Sequence, residues 1–391
     1  MKIQSFVAGL GVCAFLFSSF GIADAKVKSK GTINRSRLSS VVDKHAVNVP
    51  LSSTASNTGE LFMLTRDSKS KTRDLCWALF NPSSNKVIKK GKCPFNYDNK
   101  WVAISPNAKY AAAFSRHPAQ LHILDIEANK WTVAYTNPSS SQEGLSIFQL
   151  LGGNSTEDSP LMFIDDNNVA SVFHEMKIKD GSKESVNMVP VFFNVKSNKM
   201  TKGMSMSELL TAGEKAIKEF GAVIDEPLST EEINITGLNR YALIMKNSKK
   251  AFFVTFEGGK ARVADSIFRG NFEYVASRMS DGTVFYIAAP YEKGKQTSAR
   301  NSRELRSVKG TASHETIAKG DVFGGVFPED GRVFVVEMKD GGNSYALSQL
   351  KKDGTKEQLA TTRKSVRFDM GSSKNVFHLV SRDDIYWITF E

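Results

Sequence analysis

The chain has 391 residues, 41% hydrophobic and 24% charged, with 28 Gly, 11 Pro and a formal net charge of +11. These proportions exclude a collagen-like, coiled-coil or wholly disordered chain, and 26 Phe, 9 Tyr and 4 Trp are enough for a large core. At about 150 residues per domain the length allows two or three domains, although all-β propellers run longer as single units.

Met1-Lys2 opens a short basic region, Phe6 to Ile22 is apolar or small, and Ala23-Asp24-Ala25 is an A-x-A cleavage signature. The pattern predicts a signal peptide over residues 1–25, cleaved after Ala25, and a periplasmic or secreted mature protein. The stretch is short for a membrane span and contains Gly9, Gly11, Ser18, Ser19 and Gly21, which argues against a retained anchor. Cys13 lies in mid-stretch, away from a lipoprotein position. Its removal leaves Cys76 and Cys93. In an oxidising compartment such a pair predicts a disulfide, worth about 3 kcal/mol on the chain-entropy model. The other reading is two reduced, buried thiols.

Residues 26–58 are read as a basic flexible leader, with one strand near 41–50 available to close a ring. Within residues 26–44, Lys26, Lys28, Lys30, Arg35, Arg37 and Lys44 are opposed only by Asp43, a net +5. The segment is either a solvated tail or an adhesive for anionic lipid headgroups or acidic envelope polymers, through Lys26, Lys28, Lys30, Arg35 and Arg37. Nucleic acid is disfavoured, because no basic helix and no basic stripe interleaved with aromatics occurs.

From Gly59 onward the chain reads as short β-branched or aromatic runs punctuated by turn residues. The clearest unit is Lys100–Ser105, a turn at Pro106-Asn107-Ala108, Lys109–Ser115, Gln120–Glu127 and Lys130–Thr136. Four antiparallel strands within forty residues make one propeller blade. The same grammar returns from Asp321 to Ala360.

Ile104-Ser105-Pro106-Asn107-Ala108-Lys109-Tyr110 and Phe327-Pro328-Glu329-Asp330-Gly331-Arg332-Val333 resemble the "F-S-P-D-G-K/R" turn of the TolB-like, WD40-related propeller repeat. Leu124-Asp125-Ile126 with Asn129-Lys130, and Leu350-Lys351-Lys352-Asp353-Gly354, are similar to that repeat's outer hairpin. Asn107-Ala108 stands where the repeat has Asp-Gly, and Glu329 intrudes before Asp330-Gly331. The resemblance implies an all-β propeller over residues 59–391. Blades starting near 59, 98, 145, 233, 272, 321 and 365 give seven, with six or eight as the neighbouring counts.

One amphipathic helix interrupts this grammar near 205–220. Ser205-Met206-Ser207-Glu208 fits a capping box, and Gly221 suits a left-handed stop. Its apolar positions Met206, Leu209, Leu210, Ile217 and Phe220 either pack on a blade or form a partner-binding face.

Catalytic motifs are absent: there is no G-x-S-x-G, Walker loop, H-E-x-x-H or C-x-x-C. His45, His117, His122, His174, His314 and His378 lack metal-ligand spacing, so neither a metal nor a cofactor is expected. Asp165-Asp166-Asn167-Asn168 reads as a turn more readily than as a Ca²⁺ loop. Asn154-Ser155-Thr156 and Asn234-Ile235-Thr236 are glycosylation sequons. Trp77, Trp101, Trp131 and Trp387 are candidate sugar platforms or core residues. The expected function is an exported, non-catalytic propeller that binds another exported protein or an envelope polymer. The alternatives are a lactonase-, hydrolase- or lyase-like enzyme with a channel site, and a carbohydrate or small-ligand binder.

Overall fold

The computed structural model describes residues 32–37, 46–56, 58–67, 74–81, 84, 86–95, 102–116, 118–139, 141–151, 155–158, 161–179, 182–230, 232–278, 281–291, 302–328, 331–339, 344–363, 367–368, 376–380 and 384–389. The signal-peptide segment, Lys26, Lys28, Lys30, His45, His117, Trp101 and Asn154 lie outside them.

Six antiparallel blades follow one another along the chain. Blade 1 runs, from inner to outer strand, Ala46–Ala55, Leu61–Asp67, Leu75–Asn81 and Lys86–Lys92. Blade 2 is Val102–Ile104, Tyr110–Arg116, Ala119–Asp125 and Lys130–Thr136. Blade 4 is Asn234–Gly237, Arg240–Lys246, Lys250–Glu257 and Lys260–Phe268. Blade 5 is Gly270–Arg278, Thr283–Pro290, Arg303–Lys309 and Glu315–Gly320. Blade 6 is Val322–Val326, Val333–Lys339, Ser344–Leu350 and Lys356–Arg363.

Blade 3 departs from this plan. Its inner position is shared by Gly144–Ser146 and Leu161–Phe163, which pair with the two halves of Asn168–Lys179. The chain between them leaves the sheet and forms a separate hairpin, Phe148–Leu151 with Ser155–Asp158. The third strand, Ser182–Asn194, pairs with Asn168–Lys179 along its whole length. The outer strand, Lys199–Lys202, covers only its far end.

A further sheet joins the two chain ends. Thr32–Arg37 pairs antiparallel with Asp384–Thr389, which continues to Val376–Val380 and Arg367–Phe368. Two expectations are corrected here. The strand that meets the C-terminus is Thr32–Arg37, not one near 41–50, and Ala46–Ala55 is the inner strand of blade 1 rather than leader. Blade 1 therefore begins thirteen residues before Gly59. Its inner strand, Ala46-Val47-Asn48-Val49-Pro50-Leu51-Ser52-Ser53-Thr54-Ala55, has no aromatic residue and ends in a Ser/Thr-rich run that reads as leader.

The core lies between blades, because middle strands bury both faces and successive side chains point opposite ways. Ala111 and Ala113 face Trp77 and Leu79 of blade 1, whereas Ala112 and Phe114 face Phe173 and Val191 of blade 3. The same alternation packs Phe253 against Phe272 and Tyr286 between blades 4 and 5. Phe285 stacks on Phe327 between blades 5 and 6. At about 25 cal/mol per Å² of apolar surface removed from water, each such Phe adds roughly 2–3 kcal/mol. Among the described residues no helix is long and apolar enough to cross a membrane.

Candidate functional site

The inner strands carry few reactive groups. Val102, Ala103, Ile104, Leu145, Leu161, Phe163, Ile235, Phe272, Val322 and Val326 are buried and apolar. Glu273 on the blade 5 inner strand pairs with Arg303 at 3.1 Å. Tyr274 donates its hydroxyl to the Gly325 carbonyl, and burial pushes that phenol up to about 12. Among the described residues no group of three or more His, Cys, Asp or Glu side chains is placed to hold a metal ion.

Ser115 and His122 form a pair that sequence spacing did not reveal, since they meet only by cross-strand pairing within blade 2. His122 Nε2 lies 2.9 Å from Ser115 Oγ, and Ser115 donates to the Pro118 carbonyl at 2.7 Å. A hydroxyl has one hydrogen, so His122 Nε2–H is the donor to Ser115, and the serine is not deprotonated by the imidazole. Burial holds His122 at about 4, and no carboxylate orients its Nδ1, which has no hydrogen-bond partner. The arrangement is that of a core histidine, stacked on Phe95 at 4.1 Å.

The densest charged cluster bridges blades 4 and 5. Asp265 accepts from Arg306 Nη1 at 2.7 Å and from the Tyr286 hydroxyl at 3.0 Å. His314 Nδ1 lies 3.4 Å from its other oxygen. Arg306 also donates twice to Glu304, which receives Lys319 at 2.8 Å. Burial, then the Asp265 carboxylate, pushes the Tyr286 phenol far up, so it remains a donor. Glu337 in blade 6 is held by Lys356 at 2.6 Å and Lys339 at 3.5 Å. Each carboxylate in these clusters already has internal cationic partners, which is the signature of blade cement.

The remaining sequence-derived candidates resolve individually. Cys76 and Cys93 are free thiols, so the expected disulfide is not formed. Cys76 is registered opposite Lys92, while Cys93, one residue further, packs with Leu75 and Trp77 on the other face of the sheet. Burial and then the neighbouring Cys76 push the Cys93 thiol far up, leaving it inert. Asp165 accepts from the backbone of Asn167 and Asn168, and Asp166 accepts from Asn107 N of blade 2, so the segment is a turn that links blades. Asn234 lies on an inner strand with its Nδ2 buried, which bars glycan attachment in the folded state. Trp77 is core, Trp131 is half-buried edge-on to Phe95, and Trp387 is placed only by its backbone pairing.

The helix Met206–Glu219 forms as its capping box specifies, with Ser205 accepting from Glu208 N and Glu208 accepting from Ser205 N. Met206, Leu209 and Ile217 are buried against Phe192, Tyr241, Met245 and Phe256, sealing blade 3 to blade 4. Their burial places them in the core rather than on a partner-binding face. Leu210 is half-buried, and Phe220 is 57% exposed. Gly213 allows this seating, because a Cβ there would lie 2.4 Å from the Met245 sulfur.

Blades 3 and 4 depart from the blade plan three times: the inserted hairpin, which leaves the inner position of blade 3 between Ser146 and Leu161, the long hairpin Asn168–Asn194, and the helical connection itself. The last two meet at the end of blades 3 and 4 where blades are connected. Ser207 and Asn187 hydrogen-bond, joining long hairpin to helix. Lys249 pairs with Asp225 and Glu226 and accepts through its carbonyl from Arg269 N, joining the helical connection to the end of blade 4. Among the described residues, five of the eight exposed large apolar side chains fall here: Ile178, Val186, Phe220, Val223 and Phe268. This grouping escaped the sequence reading because its members come from four separate segments.

No family model and no curated protein matches the chain. Solved structures do. An oligogalacturonate lyase in complex with manganese aligns with a TM-score of 0.57 and 11% identity over 94% of this chain and 96% of that one. The β-propeller domain of the Trilobed protease from Pyrococcus furiosus, which has an open velcro topology, aligns at 0.52 and 11% over 89% and 94%. Pyrococcus horikoshii acylaminoacyl peptidase aligns at 0.52 and 10% over 90% of this chain, which spans only 52% of the peptidase. At these identities the likeness establishes the β-propeller fold.

Proposed function

We propose that this protein is an exported, non-catalytic propeller that binds an envelope partner through the elaborated end of blades 3 and 4. The observation that carries the reading is the coincidence, at one end of two adjacent blades, of the long hairpin and the helical connection with five of the exposed apolar side chains among the described residues. Loops added to a regular scaffold are where new surface is acquired, and apolar side chains held in water mark interaction sites when they cluster. The polar clusters support the same reading, since Asp265, Glu304 and Glu337 are already engaged by internal cations. On this reading residues 1–25 direct export and are removed after Ala25, and the sheet joining both chain ends closes the ring as a seventh blade. The basic segment with Lys26, Lys28, Lys30, Arg35 and Arg37 adds attraction to anionic envelope components.

Photo-crosslinking from Phe220 and Phe268 in the producing cell tests the binding surface, with Ile88 on the outer edge of blade 1 as control. A discrete adduct from the first two positions and none from Ile88 is expected. Equal adducts from all three, or none from any, overturns the assignment.

A further inference from the structure

Two properties of the five exposed apolar side chains at this end narrow the partner. All but Val186, which lies in the strand Ser182–Asn194, stand on or beside chain reversals, and Ile178, Phe220 and Phe268 each have a cationic neighbour. Ile178 lies between Lys177 and Lys179 near the tip of the long hairpin, all three exposed. Phe220 follows Lys218 by two residues at the helix C-terminus. Phe268 ends the outer strand of blade 4, with the Arg269 guanidinium 5.8 Å from its ring centre. The nearby carboxylates are largely engaged: Asp225 and Glu226 by Lys249, Glu219 by Lys215 at 3.9 Å, and Glu208 by the helix cap. Two exposed acids remain there: Glu184, opposite Lys177 across the hairpin, and Glu143, whose carboxylate accepts from Ile178 N at 3.1 Å.

We infer that this end of the propeller docks on an anionic lipid bilayer, with Ile178, Val186, Phe220, Val223 and Phe268 entering the headgroup–acyl boundary and Lys177, Lys179, Lys218 and Arg269 meeting the phosphates. The inference rests on the reading of this end as the binding surface and names its partner. Apolar groups on separate reversals, divided by a helix about 20 Å long, suit a flat deformable surface better than the single groove a peptide helix needs. Interfacial binding combines shallow apolar insertion with attraction of basic residues to anionic headgroups, and long basic side chains reach past buried apolar neighbours to do so. The other exposed apolar residues do not share this placement: Ile88 and Val133 are on the outer strands of blades 1 and 2, and Leu238 is at the opposite end of blade 4.

The test uses the full mature chain with vesicles of phosphatidylcholine alone or mixed with phosphatidylglycerol, read by co-sedimentation and by hydrogen exchange of the bound protein. Binding is expected only with phosphatidylglycerol, weakening with salt. New protection is expected at Met176–Lys179, Lys218–Val223 and Ser266–Gly270, and none at Lys86–Lys92. Combining Ile178→Asp, Phe220→Asp and Phe268→Asp should weaken binding about tenfold or more. Changing Lys26, Lys28 and Lys30 to Gln should leave the protection pattern in place. Unchanged binding of the apolar-to-Asp variant, or vesicle binding without protection at those segments, overturns the inference, and the exchange pattern decides the matter should that variant misfold. If no vesicle binds while Phe220 still crosslinks to a protein, the bilayer inference falls and the binding-surface reading stands. If neither occurs, both fall.

Discussion

Asp265 is the residue whose loss should damage the fold most for the smallest change in shape. Its side chain is 3% exposed and holds Arg306, itself only 17% exposed, together with the Tyr286 hydroxyl. Asp265→Asn keeps the volume and removes the charge, leaving a mostly buried guanidinium to share the single carboxylate of Glu304. Breaking a buried pair by removing one partner costs about 3–5 kcal/mol, because the remaining charge is stranded away from water. At an m value of about 3 kcal/mol/M, a 3 kcal/mol loss lowers the urea midpoint by about 1 M. Urea titrations followed by both tryptophan fluorescence and circular dichroism would measure this and show whether the blades unfold together. Tyr286→Phe should cost less, about 1.5–3 kcal/mol for a hydrogen bond to a charged group. Much of that cost should vanish in the Asp265→Asn background. Lys249→Ala, which removes a solvent-exposed pairing with Asp225 and Glu226, is the control and should leave the midpoint in place. An Asp265→Asn shift below about 0.2 M would mean that the cluster is hydrated and that blades 4 and 5 are held by their apolar faces alone.

Three further outcomes are expected. Ala108 adopts a left-handed φ of 56° where Gly331 holds 89° in the matching turn of blade 6, so Ala108→Gly should stabilise by about 0.5–1 kcal/mol; a lower melting temperature would contradict the strain. His122 and His174 are held by burial at about 4 in the folded state against about 6.5 unfolded. The folded state thus binds fewer protons between those values. The stability is complete above about pH 6.5 and is lost as pH falls toward 4, by up to about 3 kcal/mol per histidine; equal urea midpoints at pH 7 and pH 4.5 would refute it. Thiol titration of the denatured, unreduced mature protein should find both Cys76 and Cys93 free, with Cys93 reacting only after unfolding.

The blade units and the helix were legible because each depends on neighbours in the chain. The turn Ser105-Pro106-Asn107-Ala108 closes on itself, with Ser105 Oγ accepting from the backbone of Lys109 and Tyr110. The capping box spans four residues, and the alternation that fills the interblade core is a property of any strand buried on both faces. A third copy of the repeat turn, Asp281-Gly282-Thr283, carried the same local signal in blade 5 and was available to the same reasoning. Tertiary structure alone decided what distant segments make when they meet. It placed Cys76 and Cys93 on opposite faces of one sheet, brought Asp265 to Arg306 across a blade boundary, and turned the helix stripe inward. It also brought the exposed side chains Ile178, Val186, Phe220, Val223 and Phe268 to one end of blades 3 and 4. Hydrogen-bonded turns and strand periodicity are short-range and leave their mark on consecutive residues. Register between strands and contact between blades depend on closure of the whole sheet array, which no local pattern records.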